Sequence, residues 1–176
     1  MKKVTILLIA LIASFGLFAQ NVEEPNFIGE AMLFNAEDET TTLLEKQTVQ
    51  VTTKNQMVVL TQNMVLDGCC AGVRTGAGKI QLIVRAVDNN SDPMSIIQVI
   101  KFDAKKKKRE AELASVGYGG AKSGKLNLVK FTGKKFGTSS YLLTIPNIGP
   151  GEYGIIVTNP NIKDEKITVV STFGID

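Results

Sequence analysis

The 176-residue chain contains no histidine and no tryptophan, and aromatic side chains make up only 6% of it. The absence of histidine excludes the Ser-His-Asp and Cys-His nucleophile systems and every zinc site that uses an imidazole ligand. The scarcity of aromatic rings argues against a protein that binds single-stranded nucleic acid by base stacking. Most hydrolase mechanisms and nucleic-acid partners are therefore not expected.

Cysteine is also scarce and occurs only as the adjacent pair Cys69 and Cys70. Neighbouring Cα atoms lie about 3.8 Å apart, below the usual disulfide range, so a bond between the two closes a strained eight-membered ring. Three states remain open: two reduced thiols, an intermolecular disulfide, or a vicinal disulfide that acts as a rigid loop closure. Two thiols without histidine do not make a convincing zinc site, and we expect neither a metal nor another cofactor.

Residues 1–19 have the pattern of an export signal. A cationic start precedes an apolar run over residues 4–13, and Ala19 is followed by polar residues, which fits cleavage after Ala19. The competing interpretation, a membrane anchor, is disfavoured because Ser14 and Gly16 interrupt a run already short for the roughly 20 residues that a span requires. We expect a mature chain without a transmembrane segment, located in the periplasm, at the outer-membrane periphery or outside the cell.

Short stretches rich in Val, Ile and Thr recur along the mature chain and are separated by turn residues. The clearest one places Ile80, Leu82 and Val84 on one face, as a half-buried strand does. About nine strands are predicted, at residues 27–34, 45–52, 56–66, 79–87, 95–102, 125–131, 141–145, 152–157 and 166–173. This spacing predicts an all-β fold, an antiparallel β-sandwich that forms a single domain over residues 20–176.

Asp88, Asn90 and Asp92 alternate in the polar segment between the fourth and fifth of these strands. The segment has turn chemistry, so the two strands are predicted to form a hairpin. The same three side chains resemble the opening of a calcium loop, since a hard cation needs several oxygens close together. Pro93 and Val99 stand where such a loop has its turn glycine and its bidentate glutamate. We therefore favour a plain turn over a calcium site.

Charge is concentrated between residues 101 and 135, where 11 basic and 3 acidic residues give a net charge of +8. Five consecutive cations lie in this region: Lys105, Lys106, Lys107, Lys108 and Arg109. Such a run is most often a solvated edge or turn that deters edge-to-edge strand pairing. The alternative is an anion-binding site that grips the phosphates of a lipid or polysaccharide layer.

Residues 104–114 contain strong helix formers throughout, yet they show no apolar stripe before Ala111. Local propensity predicts a helix. The alternation of Arg109, Ala111 and Leu113 with two glutamates instead predicts the return strand of a hairpin. The sequence favours the strand only slightly, so the choice between strand and helix stays open.

The stretch 145–157 contains a Pro150-Gly151 turn that is followed by Glu152, Tyr153 and an apolar strand. It resembles the corner before a late strand in immunoglobulin-like and transthyretin-like β-sandwiches, which implies that the Tyr153 hydroxyl bonds back to nearby backbone. Together with the export signal and the closing residues 171–176, the chain resembles the small exported proteins of unknown function of Gram-negative Bacteroidota. That resemblance implies an envelope location and specifies no activity.

These features predict an exported envelope protein with a non-enzymatic binding or structural role, whose partner is an anionic envelope component or another protein. The alternative is a small hydrolase that works through carboxylates, because any two of the seventeen acidic residues can meet in a fold. No segment singles out such a pair, so no catalytic residue is predicted. The hydrolase would require a concave pocket with two acids of perturbed pKa. The sequence leaves the ligand and the oligomeric state open.

Overall fold

The computed structural model describes residues 22–56, 59–117, 120–123, 126–160 and 168–176. The predicted export signal of residues 1–19 lies outside the described residues. Within these ranges the chain forms fifteen strands and one short helix, which confirms the all-β prediction. The same ranges contain no helix with the length and hydrophobicity that crossing a membrane demands.

The elements are β1 (Ala31–Asn35), β2 (Thr40–Leu43), β3 (Glu45–Thr48), β4 (Gln50–Gln56), β5 (Val59–Asp67), β6 (Arg74–Thr75), β7 (Gly78–Arg85), α1 (Pro93–Ile96), β8 (Ile97–Ala104), β9 (Lys108–Gly117), β10 (Gly120–Ser123), β11 (Asn127–Leu128), β12 (Thr132–Phe136), β13 (Ser140–Ile148), β14 (Gly151–Val157) and β15 (Val169–Ile175). Every predicted strand overlaps an observed one. The prediction missed β2, β6, β10 and β12, because these short strands are largely polar or glycine-containing and lack apolar alternation.

The strands form two sheets that pack as a sandwich. The first sheet has the order β12-β13-β7-β1-β2, and the second has the order β3-β15-β14-β8-β9-β5-β4. Three short strands extend the second sheet, since β10 pairs with β9, β11 with β8 and β6 with β15. All these pairings are antiparallel except that of β6 with β15.

The main core lies between the two sheets and follows from strand alternation. The predicted apolar face of β7 is buried in it, with Leu82 and Val84 fully inaccessible to solvent. The facing strand β14 contributes Ile155, and β15 contributes Phe173. Because successive side chains of a strand point to opposite faces, apolar residues at alternate positions are sufficient to build this layer.

The predicted hairpin between β7 and β8 is wrong. β7 pairs with β1 and β13 in the first sheet, whereas β8 pairs with β14, β9 and β11 in the second. The connecting residues therefore cross the sandwich. Buried Asn89 fixes this crossing, because its side-chain amide donates to the carbonyl oxygens of Phe136, Gly137 and Ser140 at 3.2–3.4 Å. Turn chemistry marks a change of direction but does not specify the sheet to which the chain returns.

The second sheet folds back on itself. A second core contains buried residues from both halves of it: Val49, Met64, Leu66, Ile100, Phe102, Ala111 and Val170. Side chains of β9 reach β14 and β3, although β8 separates β9 from β14 in the strand order. Gly154 of β14 lies in this second core, where a Cβ atom would overlap the side chains of Val170 and Phe102. The absence of a side chain at Gly154 therefore permits the close packing.

β9 confirms the strand interpretation of the lysine-rich segment. It pairs with β8 through Asp103–Glu110 and Ala104–Arg109, and it pairs with β5 along most of its length. Ala111 is buried whereas Glu112 is exposed, as the alternation predicts. Pairing on both sides overrides the helix propensity of the segment, because propensity is a weak local preference.

The corner at Tyr153 contains the hydrogen bond that the resemblance implies. The Tyr153 hydroxyl donates to the carbonyl oxygen of Gly149 at 2.8 Å. The ring is buried and stacks on Phe173 with a centroid separation of 5.4 Å. The bond fixes the turn that precedes β14, and the ring belongs to the main core.

Replacing Tyr153 with phenylalanine is expected to lower the free energy of unfolding by about 1 kcal/mol, because it removes one neutral hydrogen bond and leaves the ring in place. Urea unfolding of the two proteins measures the difference. An unchanged stability would show that the hydroxyl does not hold the corner.

Candidate functional site

The candidate site lies at one end of the folded-back sheet, where two chain segments meet. The first, here called the cysteine loop, comprises residues 67–72, and the second, the lysine turn, comprises residues 105–107. The amide of Gly68 donates to the carbonyl oxygen of Lys107 at 3.0 Å. Gly68 has a φ of 78°, a left-handed conformation that glycine adopts without steric cost. The loop and the turn therefore form one continuous surface.

Cys69 and Cys70 form a disulfide with each other, and their Cα atoms lie 3.7 Å apart. Of the three states that the sequence leaves open, the structure therefore has the vicinal disulfide. Cys70 is exposed and Cys69 is partly exposed. Both cysteines thus lie at the protein surface.

Two carboxylates hold the far side of the cysteine loop. Glu152 accepts a hydrogen bond from the amide of Ala71 at 2.7 Å, and Glu45 accepts one from the amide of Gly72 at 3.1 Å. Glu152 lies on β14 and its side chain is only 5% exposed. Together with the Gly68 bond to the lysine turn, these contacts fix the backbone on both sides of the cysteine pair.

Arg109 differs from the four lysines that precede it, because its side chain is fully buried. Its Nε donates to the carbonyl oxygen of Gly68 at 3.3 Å, and its Nη2 donates to that of Asp67 at 3.2 Å and to Gln47 at 3.1 Å. The prediction that all five residues form an anion-binding site is wrong for Arg109, because this side chain supports the cysteine loop from inside and cannot reach an external anion. Burial lowers its pKa, while the carboxylates of Glu152 and Glu45 oppose that effect.

Glu152 is the centre of the charged network beneath the loop. Its Oε1 accepts from Nη1 of Arg74 at 2.6 Å, and its Oε2 lies 3.8 Å from Nη1 of Arg109. That Arg109 nitrogen has no hydrogen-bond partner among the described residues. Arg74 also donates to Asp176 at 2.8 Å. The hydrogen bond to Glu152 is the main cause that raises the pKa of Arg74, and the one to Asp176 adds to it. The network thus joins the cysteine loop to β14 and to the C-terminal residues.

Three of the five consecutive cations remain at the surface. Lys105, Lys106 and Lys107 are exposed, and no ion pair joins them to the described part of the chain. Lys108 instead lies 2.9 Å from the carboxylate of Glu110, which also accepts from Lys54. These two lysines lower the pKa of Glu110 to about 2. Within the run of five cations, the unpaired surface charge is therefore confined to the lysine turn. The amide of Lys105 closes this tight turn by donating to the carbonyl oxygen of Lys108.

The residues of the calcium candidate, Asp88, Asn90 and Asp92, form hydrogen bonds within their own turn. Asp88 accepts from the amide of Asn90 at 2.8 Å, and Asp92 caps α1 by accepting from the amide of Met94 at 2.9 Å. In the described ranges, no group of three His, Cys, Asp or Glu side chains is arranged to hold a metal ion. That the protein needs no metal stays a prediction.

A cavity of about 220 Å³ beside β8 and β9 brings together several carboxylates of the kind that the hydrolase interpretation requires. Asp103, Glu110 and Glu112 line it. A carboxyl group that donates a proton near neutrality needs a raised pKa. The pKa of Glu110 is lowered instead, because Lys54 and Lys108 stabilise its ionised form. Glu110 is therefore an ionised partner of two lysines and not a proton donor near neutral pH.

No sequence pattern singled out Glu152, Glu45 or Arg74 as a site residue. Glu152 was visible only as a member of the Pro-Gly-Glu-Tyr corner. The sequence did contain a signal for Glu152. It lies at every second position with Gly154 and Ile156, on one face of a strand that is otherwise apolar. A charged residue on the inward face of such a strand needs a buried partner, but the identity of that partner depends on the fold.

Comparisons of the chain with protein-family models, with curated proteins and with solved structures found no match. Its function has to be inferred from the geometry of the site.

Proposed function

We propose that the protein is exported to the cell envelope, where it binds an anionic lipid surface through the lysine turn without catalysing a reaction. The observation that carries this proposal is the exposure of three consecutive cations, Lys105, Lys106 and Lys107, between two paired strands. Their neighbours do not share this property, because Lys108 pairs with Glu110 and Arg109 is buried.

The expected attraction is local and sensitive to salt. The mature chain carries a net charge of only +1, so the whole molecule is not strongly attracted to an anionic surface. A lysine close to an anionic lipid layer contributes about 1 kcal/mol, and salt screens this over about 10 Å at 0.1 M. Three adjacent lysines therefore support weak, reversible binding at low ionic strength.

Export is supported by the signal pattern of residues 1–19 and by the chemistry of the cysteine pair. A disulfide persists in oxidising compartments outside the cytosol, and Cys69 and Cys70 form one. The resemblance to small exported Bacteroidota proteins supports the same location. The Tyr153 hydrogen bond supports a sandwich of the immunoglobulin-like or transthyretin-like kind.

The non-enzymatic role is supported by the way in which the carboxylates are used. Glu152 and Glu45 hold amides of the cysteine loop, and Glu110 holds two lysines. Each of these carboxylates therefore has a structural partner, and the two lysines lower the pKa of Glu110 to about 2. A carboxylate engaged in this way is better suited to holding a surface in place than to transferring protons.

Replacing Lys105, Lys106 and Lys107 together with glutamine is expected to abolish low-salt binding to vesicles of an anionic phospholipid. The melting temperature should change by no more than a few degrees, because these side chains form no ion pair with the described residues. Co-sedimentation with anionic vesicles, and with zwitterionic vesicles for comparison, measures the binding.

A control variant with the same change of net charge replaces Lys79, Lys134 and Lys135, which are exposed on the first sheet. It should bind as the wild type does. Equal loss in the two variants would show that net charge, rather than the lysine turn, determines binding. Wild-type protein that ignores anionic vesicles at low salt would overturn the proposal and leave the lysines with the role of a solvated turn.

A further inference from the structure

The cysteine pair has a property that is independent of lipid binding. We propose that Cys69–Cys70 is a reversible redox site that exchanges with thiol reductants, while the cysteine loop keeps its position. Two observations point to it: the pair lies at the surface, and the fully buried Arg109 holds the backbone beneath it.

The more exposed residue, Cys70, is the one that an external thiol can attack. A thiolate forms a mixed disulfide with the Sγ atom of Cys70, the bond between Cys69 and Cys70 breaks, and the Sγ atom of Cys69 leaves as a thiolate. A second thiol then attacks the sulfur of the first, which releases a small-molecule disulfide and leaves two protein thiols. Two electrons pass from the two thiols to the cysteine pair, and each protein thiolate takes up one proton.

The charges around the loop favour the leaving thiolate. The buried Arg109 donates to the carbonyl oxygen of Gly68, the residue directly before Cys69, and the amide of Gly68 donates to the carbonyl oxygen of Lys107 in the lysine turn. Other charged groups of both signs belong to the loop, to its contacts or to the strands that hold it: Glu45 on β3, Asp67 on β5, Arg74 on β6, Lys108 and Glu110 on β9, Glu152 on β14, and Asp176 after β15. Most of the carboxylates in this set are already paired with cations or amides. Positive charge near a cysteine stabilises its thiolate form.

The loop is held by contacts that do not involve sulfur. Gly68 is held by Lys107, Ala71 by Glu152 and Gly72 by Glu45, so the residues on both sides of the pair are fixed. Opening the disulfide leaves these hydrogen bonds in place. The backbone conformation that brings the two sulfur atoms together is therefore retained, and an oxidant closes the same bond again rather than joining two molecules.

Stabilisation of the fold does not account for this disulfide. A disulfide stabilises a protein mainly by closing a long loop in the unfolded chain, and the stabilisation falls as the loop becomes shorter. Cys69 and Cys70 are adjacent, so the loop that they close is minimal. Reduction is therefore expected to shift the melting temperature by no more than a few degrees, which leaves the folded protein free to cycle.

The test uses the folded mature chain and dithiothreitol as the reductant. We expect native protein to gain two alkylatable thiols per chain, measured by intact mass. Removal of the reductant and addition of oxidised dithiothreitol should restore the disulfide in monomeric protein. A pair that resists reduction until the protein is unfolded would overturn the proposal, as would reoxidation that yields disulfide-linked dimers.

Glu45→Ala tests whether the loop is held in place for closure. It removes the bond to Gly72 at an exposed position and leaves the buried network intact. Reoxidation should slow several-fold, while Glu37→Ala in the exposed turn before β2 should reoxidise at the wild-type rate. A Glu45→Ala protein that closes as fast as wild type would overturn the claim that the contacts of the loop hold its backbone in the conformation for closure.

Discussion

Replacing Glu152 with alanine is expected to lower the free energy of unfolding by about 3–5 kcal/mol, the cost of breaking a buried ion pair on one side. The side chain is 5% exposed and lies between the guanidinium groups of Arg74 and Arg109. Arg109 is fully buried, so its charge cannot turn to solvent when the carboxylate is removed. The amide of Ala71 loses its acceptor as well. Urea unfolding at neutral pH measures the loss.

Asp176→Ala is the matched control, because Asp176 accepts from the same Arg74 but is 67% exposed. Exposed pairs contribute about 0–1 kcal/mol, so this variant should remain close to wild type. A second variant, Glu152→Leu with Arg109→Met, removes both buried charges and should recover much of the loss. If Glu152→Ala were as mild as Asp176→Ala, the network beneath the cysteine loop would have no structural role.

Acidification from pH 5 to pH 2 is expected to cause the second large loss of stability, through Glu24 and Glu110. Burial raises the pKa of Glu24, but hydrogen bonds from Ser140, Thr138 and Ser139 outweigh this and lower it to about 2. Hydrogen bonds from Lys54 and Lys108 lower the pKa of Glu110 to about 2. Both groups therefore bind protons more weakly in the folded state than in the unfolded state.

The sign of the effect follows from proton linkage. A carboxyl group whose pKa is lowered on folding stabilises the protein fully above its unfolded pKa of 4.5, and this contribution is lost as pH falls towards about 2. Each group is about 15% exposed or less, so solvent screens it only partly. At 1.36 kcal/mol per pKa unit, each contributes up to about 3 kcal/mol at neutral pH.

Urea unfolding between pH 2 and pH 7 tests this prediction. Glu24→Gln should be less stable than wild type at neutral pH and should show a flatter dependence on pH, because one linked proton is removed. The neighbouring Glu23 is exposed, so Glu23→Gln should follow the wild-type curve. If the unfolding free energy of wild type and of Glu24→Gln depended equally on pH, Glu24 would not stabilise the turn before β13.

Features that depend on residues close together in the chain were predictable from the sequence. The apolar face of β7 follows from alternation, because side chains of a strand point to opposite faces whatever the strand packs against. The Tyr153 bond joins residues only four positions apart. The β8–β9 hairpin joins consecutive segments, so the alternation of Arg109 and Ala111 was enough to favour a strand over local helix propensity.

The candidate site was only partly predictable from the sequence. The adjacent cysteines and the five consecutive cations are visible by inspection, but their states are not. Lys108 pairs with Glu110 and Arg109 is buried, so only the lysine turn supplies unpaired surface cations within this run of five. The vicinal disulfide was one of three states that residue spacing alone could not separate.

The sequence by itself determined that this protein is an all-β sandwich with an alternating core, and it favoured a hairpin at the lysines and a tyrosine corner without deciding either. Only the tertiary structure decided that β7 and β8 belong to different sheets, that the second sheet folds back, and that Glu152 joins Arg74 across 78 positions of the chain. The physical reason is that alternation and turn chemistry are local, whereas a buried charge is stabilised by a partner that only the folded chain brings within hydrogen-bond distance.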